Sequence, residues 1–322
     1  MAEPRTPAPP LAIQTEDLDP EAAMWLAERC DLVRCAADDP QVNDLLPNAK
    51  ALVVRTYTQV NAALLERCPK LKVIGRAGVG LDNIDLDACR AHGVRVVHTP
   101  GANTQAVVEF VTAMLCDGLR PRCFLDAPIE SIHDWQSLRK ELVADRQIGD
   151  LTLGVIGLGR IGSRVAQIGQ ALGMRVVYCD IDTKDPTFTR EAPERLSLQP
   201  LCAEADVISV HIDGRPDNRR IIGADAFGRM KSDVVFINTS RGMVVDETAC
   251  AEFMINHPAA CAMLDVTDPE PFTETSPLLD IDNVHISPHI AGATASAKLA
   301  MSWVVRDVWR VLQGDEPEHA AV

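Results

Sequence analysis

The sequence predicts an α/β protein with two domains, each a doubly wound parallel sheet, and three observations support this prediction. First, the chain has 322 residues, which is enough for two separate hydrophobic cores. Second, short apolar strands alternate with helical segments, as expected of βαβ units with right-handed crossovers. Third, residues 151–180 combine such a unit with a glycine-rich turn.

The first hundred residues alternate predicted strands and helices after a proline-rich start. Residues 1–10 lack an apolar core and are interpreted as a loose tail, not a signal peptide. Because the region contains no G-x-G-x-x-G, we interpret it as the domain that presents the substrate. The predicted strands are 11–13, 32–34, 51–55, 71–75 and 94–98, and the predicted helices are 21–28, 61–68 and 86–92.

The remainder of the chain predicts a long helix, an excursion and further strands. The helix at 104–119 is apolar nearly all round, which favours burial between domains or subunits. Residues 120–150 are interpreted as an excursion that packs on a neighbouring subunit. We expect the last four residues to fray. The later predicted strands are 206–211, 234–238, 261–266 and 284–287, and a helix at 295–312 closes the chain, returning to the first domain.

The turn after the strand at 151–156 reads G-x-G-x-x-G, formed by Gly157, Gly159 and Gly162. In this pattern the glycines permit a tight turn, a close approach to a pyrophosphate, and packing of helix on strand. A glycine-rich turn of another α/β protein is the alternative interpretation. The preceding strand, the following helix and an acidic residue at the end of the next strand favour dinucleotide binding.

The helix start and the acidic residue indicate which dinucleotide is bound. The free N–H groups near Arg160 and Ile161 are expected to hold the phosphates. Asp180 lies at the end of the second strand, where a carboxylate accepts hydrogen bonds from ribose hydroxyls and repels a 2′-phosphate. The predicted cofactor is therefore NAD, favoured over NADP.

Composition excludes several other classes of function. The net charge of −15 argues against a general nucleic-acid or anionic-membrane surface. The ten cysteines are scattered without a C-x-x-C pair, which indicates reduced thiols in a cytoplasmic protein and no metal site. No apolar stretch approaches the length of a membrane span.

Six stretches together resemble the D-isomer-specific 2-hydroxyacid dehydrogenases over about residues 50–310. The resemblance implies two Rossmann-like domains with the active site in the cleft between them, and a homodimer joined through the NAD-binding domain. We place a discontinuous, flavodoxin-like substrate-binding domain at 1–102 and 294–322, and the NAD-binding domain at 103–293. The stretches are R-A-G-V-G-L-D-N-I-D (76–85), H-T-P-G-A-N-T (98–104), the nucleotide unit, I-N-T-S-R-G-M-V-V-D-E (237–247), L-D-V-T-D-P-E-P (264–271) and S-P-H-I-A-G-A-T (287–294).

The resemblance implies a catalytic trio of Arg241, Glu270 and His289. The histidine is expected to exchange a proton with the substrate oxygen, because imidazole titrates near neutral pH. Glu270 is expected to orient the ring and favour its charged form. The planar fork of Arg241 is expected to hold the substrate carboxylate and polarise the keto oxygen.

Further residues are assigned to the cofactor and to the substrate. The resemblance places Thr239 and Ser240 at the nicotinamide ribose and Asp265 at the carboxamide, while the position of His211 favours a wall on the adenine side. For the substrate, backbone N–H groups of the Gly78–Gly80 turn are expected to bind the carboxylate. The remaining predicted residues are Gly292 for the cofactor, and Arg55, Val79 and Asn103 for the substrate.

Departures from the family pattern bear on the substrate. Phosphoglycerate enzymes tend to carry cations where this chain has Gln59 and Ser137. Tyr57 is bulky where a small residue is common, and Thr267 replaces the usual aromatic residue. A phosphorylated substrate is therefore less favoured than a small, unphosphorylated 2-hydroxy or 2-keto acid.

Two alternatives to this dehydrogenase remain open. One is an NAD(H)-sensing, corepressor-like binding protein on the same fold, since such proteins keep the catalytic trio and a fold does not fix a function. The other is a related dehydrogenase of the formate or phosphite type, which requires a smaller site.

Overall fold

The computed structural model describes residues 8–120, 122–144, 146–182 and 192–322. The chain divides into two compact units. Unit 1 comprises Met1–Asn103 and Ala293–Val322, and unit 2 comprises Thr104–Gly292. The first seven residues of the expected loose tail lie outside the described residues.

Unit 1 is built on a parallel sheet with the strand order β2-β1-β3-β4-β5 in its described residues. This is the flavodoxin-like order, in which the direction of winding reverses between β1 and β3. All four residues of β3 are buried, as expected of a strand covered on both faces. The strands are β1 (Leu11–Gln14), β2 (Asp31–Arg34), β3 (Ala51–Val54), β4 (Val73–Arg76) and β5 (Arg95–His98).

Helices cover both faces of this sheet, and side chains cap the starts of four of them, α1, α3, α4 and α11. Asn61 accepts a hydrogen bond from the Leu64 N–H, and Asp85 accepts one from the Ala88 N–H. The helices are α1 (Pro20–Ala27), α2 (Val42–Leu45), α3 (Ala62–Glu66), α4 (Leu86–Ala91) and, from the end of the chain, α11 (Ala295–Ser302) and α12 (Val305–Gln313).

The predicted single helix at 295–312 is wrong, because the structure breaks it into α11 and α12. The Val304 N–H donates to the Met301 carbonyl at 3.3 Å instead of continuing the four-residue ladder. The Ser302 hydroxyl donates to the Lys298 carbonyl and accepts from the Asp19 N–H, and such back-bonding bends helices. Trp303 then packs edge-on against Trp25.

The expected fraying of residues 319–322 is also wrong. These residues pair antiparallel with β5: the Ala321 N–H donates to the Val96 carbonyl at 2.8 Å, and the Val96 N–H donates to Val322. The segment thus satisfies backbone groups at an otherwise open sheet edge. Asp307, on α12, holds it by accepting the N–H groups of Glu318 and His319 at 2.9 and 3.0 Å.

Unit 2 contains a parallel sheet with the order β12-β11-β10-β9-β6-β7-β8 among its described residues. Numbered from β6, this is the order 3-2-1-4-5-6 of dinucleotide-binding folds with one further strand. The structure confirms the predicted fold class. The strands are β6 (Thr152–Ile156), β7 (Arg175–Cys179), β8 (Glu194–Arg195), β9 (Val207–Val210), β10 (Val235–Asn238), β11 (Cys261–Leu264) and β12 (Val284–Ile286).

The helices of unit 2 flank this sheet, and the first of them matches its predicted range. Buried aliphatic residues of α5 pack with those of α7 and the central strands in one core cluster. The helices are α5 (Thr104–Leu119), α6 (Ile132–Glu141), α7 (Arg160–Ala171), α8 (Leu198–Glu204), α9 (Ala224–Phe227) and α10 (Glu247–Asn256).

The structure adds two general observations. Among the described residues, no helix is both long and apolar enough to cross a membrane.

All ten cysteines lie in the described part of the chain, and all are free thiols.

The clamp on the C-terminal segment generates a stability prediction. Asp307→Ala leaves the Glu318 and His319 N–H groups without their acceptor. We therefore expect the free energy of unfolding to fall by about 1–3 kcal/mol. Hydrogen exchange should accelerate at the Val96 and Ala321 amides. Asp315→Ala, at an exposed position, is the control. Unchanged exchange in Asp307→Ala would show that the segment is held by other contacts.

Candidate functional site

The glycine turn of unit 2 joins β6 to α7 with very close backbone packing. Gly157 has φ +92°, and a Cβ added there would lie 2.6 Å from the His211 carbonyl oxygen. A Cβ at Gly162 would lie 1.9 Å from the Gly157 carbonyl oxygen. Only glycine fits either position, so both are required by the turn itself.

The start of α7 has the features of a phosphate site. Among the described residues no side chain caps this helix, whose N-cap is Gly159. A Cβ at Gly159 would meet nothing within 4 Å, so space is open beside the first N–H groups, those of Arg160 and Ile161. An anion at this position is stabilised by those N–H groups and by the helix dipole.

Asp180 lies beside the same turn, directly after β7. Its Oδ2 accepts the Leu158 N–H at 2.7 Å, and its Oδ1 accepts the Asp182 N–H at 2.9 Å. The carboxylate is thus oriented by backbone donors at the end of the second strand, where an acidic residue of a dinucleotide fold binds a ribose hydroxyl.

One buried polar atom supports the fit to a dinucleotide. The Thr239 Oγ1 is buried without a hydrogen-bond partner among the described residues, just after the end of β10. Such an orphaned hydroxyl is costly unless a ligand pairs with it. With the glycine turn and Asp180, the donor and acceptor set of unit 2 fits NAD.

His289 and Glu270 form a direct pair in unit 2. The Nδ1 of His289 lies 2.8 Å from the Oε2 of Glu270, and their side chains are 45% and 37% exposed. The Nε2 side of the ring is therefore the one available to a substrate. This is the geometry of an imidazole oriented by a carboxylate for proton transfer.

The backbone at His289 is left-handed, with φ +54°, and its neighbours hold it there. Its N–H donates to the Asp265 carbonyl at 2.9 Å. The buried Asp265 carboxylate accepts the Ser287 hydroxyl at 2.6 Å and the N–H groups of Ile290 and Ala291 at 2.8 and 2.7 Å. Asp265 thus fixes the loop that carries the imidazole.

The loop that carries Glu270 is held at two points. The Thr267 N–H donates to the Oε1 of Glu270 at 3.4 Å. Glu247, the first residue of α10, accepts the Asp268 N–H at 2.7 Å and the Ser276 hydroxyl at 3.4 Å. The carboxylates of Glu247 and Glu270 are therefore both hydrogen-bonded to the segment at residues 267–276.

Arg241 follows β10, and the backbone there is fixed by Asn238. The Asn238 Nδ2 donates to the Arg241 carbonyl at 3.0 Å, while its Oδ1 accepts the Ser240 N–H at 3.0 Å and hydroxyl at 2.7 Å. The Arg241 guanidinium donates to the Ser240 carbonyl at 2.7 Å. Its charge acts on both members of the His289–Glu270 pair.

These contacts shift the pKa values of the pair in opposite directions. The hydrogen bond to Glu270 raises the pKa of His289 against the opposing effect of burial, and the charges of Glu270 and Asp265 raise it further. Burial acts to raise the pKa of Glu270, but the hydrogen bond and charge of His289, the Thr267 N–H and Arg241 together lower it. The ion pair is therefore the favoured protonation state.

His211, at the end of β9, has the opposite character. Its Nε2 lies 2.8 Å from the buried Ser209 hydroxyl, and desolvation lowers its pKa to about 3. The ring therefore stays neutral near pH 7, which suits a wall of a binding site better than an acid.

In unit 1, the Gly78–Gly80 turn follows β4. The Gly78 carbonyl accepts the Thr99 N–H at 3.1 Å and hydroxyl at 3.2 Å, and the Val79 carbonyl lies 3.0 Å from the His98 Nδ1. Because a trans peptide directs N–H opposite to C=O, the N–H groups of Val79 and Gly80 face away from β5. Two successive N–H groups that face one way can bind an anion, and the Arg76 guanidinium packs against the same turn at Gly78.

The other predicted substrate residues have different surroundings. The Arg55 guanidinium donates to the Asp17 carbonyl at 3.0 Å, so this cation is partly engaged within unit 1. Asn103 is half-buried at the end of the first segment of unit 1, and Gly292 is the last residue of unit 2.

Unit 2 therefore brings together the trio and most predicted cofactor residues, whereas the predicted substrate residues lie in unit 1. Sequence reasoning missed Glu247 and Ser287, which hold the loops that carry Glu270 and His289. Glu247 stands inside a matched motif, but the sequence alone did not show that it reaches across to Asp268. Among the described residues, no cluster of potential ligands could hold a metal ion.

Comparison with known proteins now adds to this geometry. Residues 124–291 match the model of the D-isomer specific 2-hydroxyacid dehydrogenase, NAD binding domain. The chain is 32% identical over 311 residues to the glyoxylate reductase of Aeropyrum pernix, covering 92% of this chain and 91% of that protein.

Two further comparisons extend the match. The D-3-phosphoglycerate dehydrogenase of Mycobacterium tuberculosis is 37% identical over 90% of this chain, which spans only 54% of that longer protein. The crystal structure of D-lactate dehydrogenase from Aquifex aeolicus, complexed with NAD and lactic acid, superposes with a TM-score of 0.80 at 28% identity, covering 95% of this chain and 96% of that one. By sequence and by fold, the chain belongs to the family of D-isomer-specific 2-hydroxyacid dehydrogenases.

Proposed function

We propose that the protein is an NAD-dependent dehydrogenase that interconverts a small D-2-hydroxy acid and the corresponding 2-keto acid. The observation that carries the proposal is the 2.8 Å pair of His289 and Glu270, within reach of the charge of Arg241. The pair belongs to the same unit as a glycine turn suited to a dinucleotide. NAD, when bound, supplies the site that gives or receives the hydride.

His289 is the acid and base of this reaction. In reduction, its protonated ring donates a proton from Nε2 to the oxygen on C2, and in oxidation the neutral ring removes it. The raised pKa favours the protonated ring, and Glu270 fixes the orientation of the ring through Nδ1.

Arg241 and the Gly78–Gly80 turn act on the substrate carboxylate and the keto oxygen. The guanidinium polarises the keto oxygen and pairs with the carboxylate through its planar fork. The N–H groups of Val79 and Gly80 supply further donors to the carboxylate. Arg55 and Asn103 lie next to the bound substrate, and Ser240 and Asp265 lie next to the nicotinamide end of the cofactor.

The substrate is small and carries no phosphate. Gln59 and Ser137 stand at positions where phosphoglycerate enzymes tend to have cations. Tyr57, three residues after β3, is 85% exposed and places a bulky side chain where a small residue is common in the family. Phosphoglycerate is thus a less favoured substrate than glyoxylate, hydroxypyruvate or pyruvate.

The protein acts as a homodimer joined through unit 2, in the cytoplasm. None of the ten residues of α6 is buried, although a helix of this length is marginal without packing. Large apolar residues around it are exposed: Phe124 by 80%, Ile132 by 72% and Val143 by 70%. A second subunit would cover them. Ten free cysteines support a reducing compartment.

NADH oxidation with a panel of 2-keto acids tests the proposed activity. We expect turnover with glyoxylate, hydroxypyruvate or pyruvate, and a fall in kcat of roughly 10²–10⁴-fold in His289→Ala, which removes the proton carrier. The matched control is His285→Ala, an exposed histidine on β12. No turnover with the panel, in protein that binds NADH and changes its oligomeric state, would instead favour a sensor.

Replacing Glu270 tests the origin of the raised pKa. In Glu270→Gln the carboxylate that favours the charged ring is lost, so the pKa of His289 should fall. Because reduction needs the protonated ring, its kcat/KM declines as pH rises through that pKa. The decline should begin at lower pH in the variant. Glu274→Gln, an exposed neighbour, should keep the parental pH profile, and an identical profile in Glu270→Gln would contradict the assigned role.

Charging the exposed segment tests the dimer. The double variant Ile132→Asp, Val143→Asp should sediment as a monomer, because buried unpaired carboxylates oppose association. Met24→Asp places the same charge on an apolar residue that is 63% exposed in unit 1 and should leave the mass unchanged. A parental mass for the double variant would remove this surface from consideration.

A further inference from the structure

Unit 1 holds one of its own carboxylates in a nest of backbone donors. Four consecutive N–H groups, those of residues 55–58, donate to the side chain of Glu16. Oε1 accepts from Arg55 at 2.9 Å and from Tyr57 and Thr58 at 3.1 Å, while Oε2 accepts from Thr56 at 2.8 Å and from Tyr57 at 3.1 Å. Successive N–H groups arranged in this way form an anion-binding concavity.

The nest is built into the structure and is not an exposed coincidence. The Thr15 and Thr58 hydroxyls form a buried hydrogen bond of 2.7 Å. The Asn83 Nδ2 donates to the carbonyls of Arg55 and Thr58 at 3.1 and 2.7 Å, which ties both ends of the donor loop to one side chain. In the peptide that joins Arg55 to Thr56, the N–H opposite the bonded carbonyl is one of the donors to Glu16. Burial acts to raise the pKa of Glu16, but the four backbone hydrogen bonds lower it, so the carboxylate is ionised at neutral pH.

The position of the nest is the position where this architecture usually holds a ligand. Glu16 follows β1, and the donor loop follows β3. In a sheet of order 2-1-3-4-5 the carboxyl ends of these two strands flank the switch point, the crevice in which ligands bind. In this chain a side chain of the protein fills that crevice with a negative charge.

The nest also adjoins the turn assigned to the substrate carboxylate. The strands β3 and β4 are neighbours, and the Ala77 N–H donates to the Val54 carbonyl at 2.9 Å. The 55–58 loop therefore lies beside the Gly78–Gly80 turn, at the carboxyl ends of these two neighbouring strands. A 2-keto acid bound by its carboxylate at that turn has the loop as a neighbour of its side chain.

Building on the function proposed above, we propose that Glu16 is a specificity-determining residue. Its carboxylate occupies the anion-binding nest of unit 1 and thereby excludes substrates whose far end carries phosphate or another anion. Like charges brought together repel each other, and the donors that a phosphate needs are already engaged by Glu16. The selected substrates are 2-keto acids with a neutral far end.

Steady-state kinetics with two substrates that differ by a phosphate tests this role. In Glu16→Gln the ratio of kcat/KM for 3-phosphohydroxypyruvate to that for hydroxypyruvate should rise about tenfold or more. Glu16→Asp keeps the charge and should keep the parental ratio. The matched control Asp17→Asn removes a neighbouring charge that pairs with Arg34 outside the nest and should change the ratio little. An equal ratio in Glu16→Gln and the parent would overturn the proposal.

A binding measurement separates this inference from the proposed activity. In Glu16→Ala the nest is vacant, so the rise in Tm caused by inorganic phosphate, relative to chloride at equal ionic strength, should exceed the rise in the parent by about 2 °C or more. The comparison with the parent subtracts phosphate bound at the start of α7, and Asp17→Asn should show the parental rise. This readout needs no turnover, so it holds even if every 2-keto acid fails. A folded Glu16→Ala variant whose phosphate-specific rise equals that of the parent would also overturn the proposal.

Discussion

The buried carboxylate of Asp265 is the constraint on which the geometry of the His289–Glu270 pair depends. A non-glycine residue rarely adopts the left-handed backbone that His289 has, and such a conformation persists only where the surroundings fix it. Asp265 supplies these surroundings through its carbonyl, which accepts the His289 N–H, and its side chain, which accepts three donors between Ser287 and Ala291. The imidazole is thus aimed at Glu270 before any substrate arrives, so little ordering remains for the reaction itself.

Both sheets place their polar groups at the carboxyl ends of buried parallel strands. In unit 2, Asp180 follows β7, His211 follows β9, Arg241 lies beyond β10, and Asp265 follows β11. The central strands β6, β9 and β10 are mostly apolar and almost completely buried, because both of their faces are covered. In unit 1 the same rule places Glu16 and the turn at Gly78 beyond β1 and β4. The difference is that unit 1 satisfies one set of its donors internally.

Local patterns were sufficient to predict the strands other than β8, the glycine turn and α5, whose range matches its prediction, because their signals lie within a few consecutive residues. The two-residue strand β8 was not predicted, because it is too short to carry an apolar pattern. Long-range hydrogen bonds were not predictable in this way. The break after Ser302 depends on a contact with Asp19, and the order of the last four residues depends on Asp307 and the edge of β5. The nest around Glu16 joins segments 39 to 42 residues apart. The trio could be located only because each member stands in a recognisable motif. By itself, a histidine after a proline gives no sign of its partner.

The two histidines at the carboxyl end of the same sheet have pKa values that are shifted in opposite directions. The ring of His211 is desolvated and bonded to Ser209, so it remains an uncharged dipole until its pKa of about 3 is reached. The ring of His289 gains its proton readily. As the medium becomes more acidic, His289 therefore takes up a proton before His211 does, so the charge beside Glu270 changes while the surface beside the glycine turn stays electrically constant. Proton transfer can thus respond to the medium independently of the wall next to the dinucleotide turn.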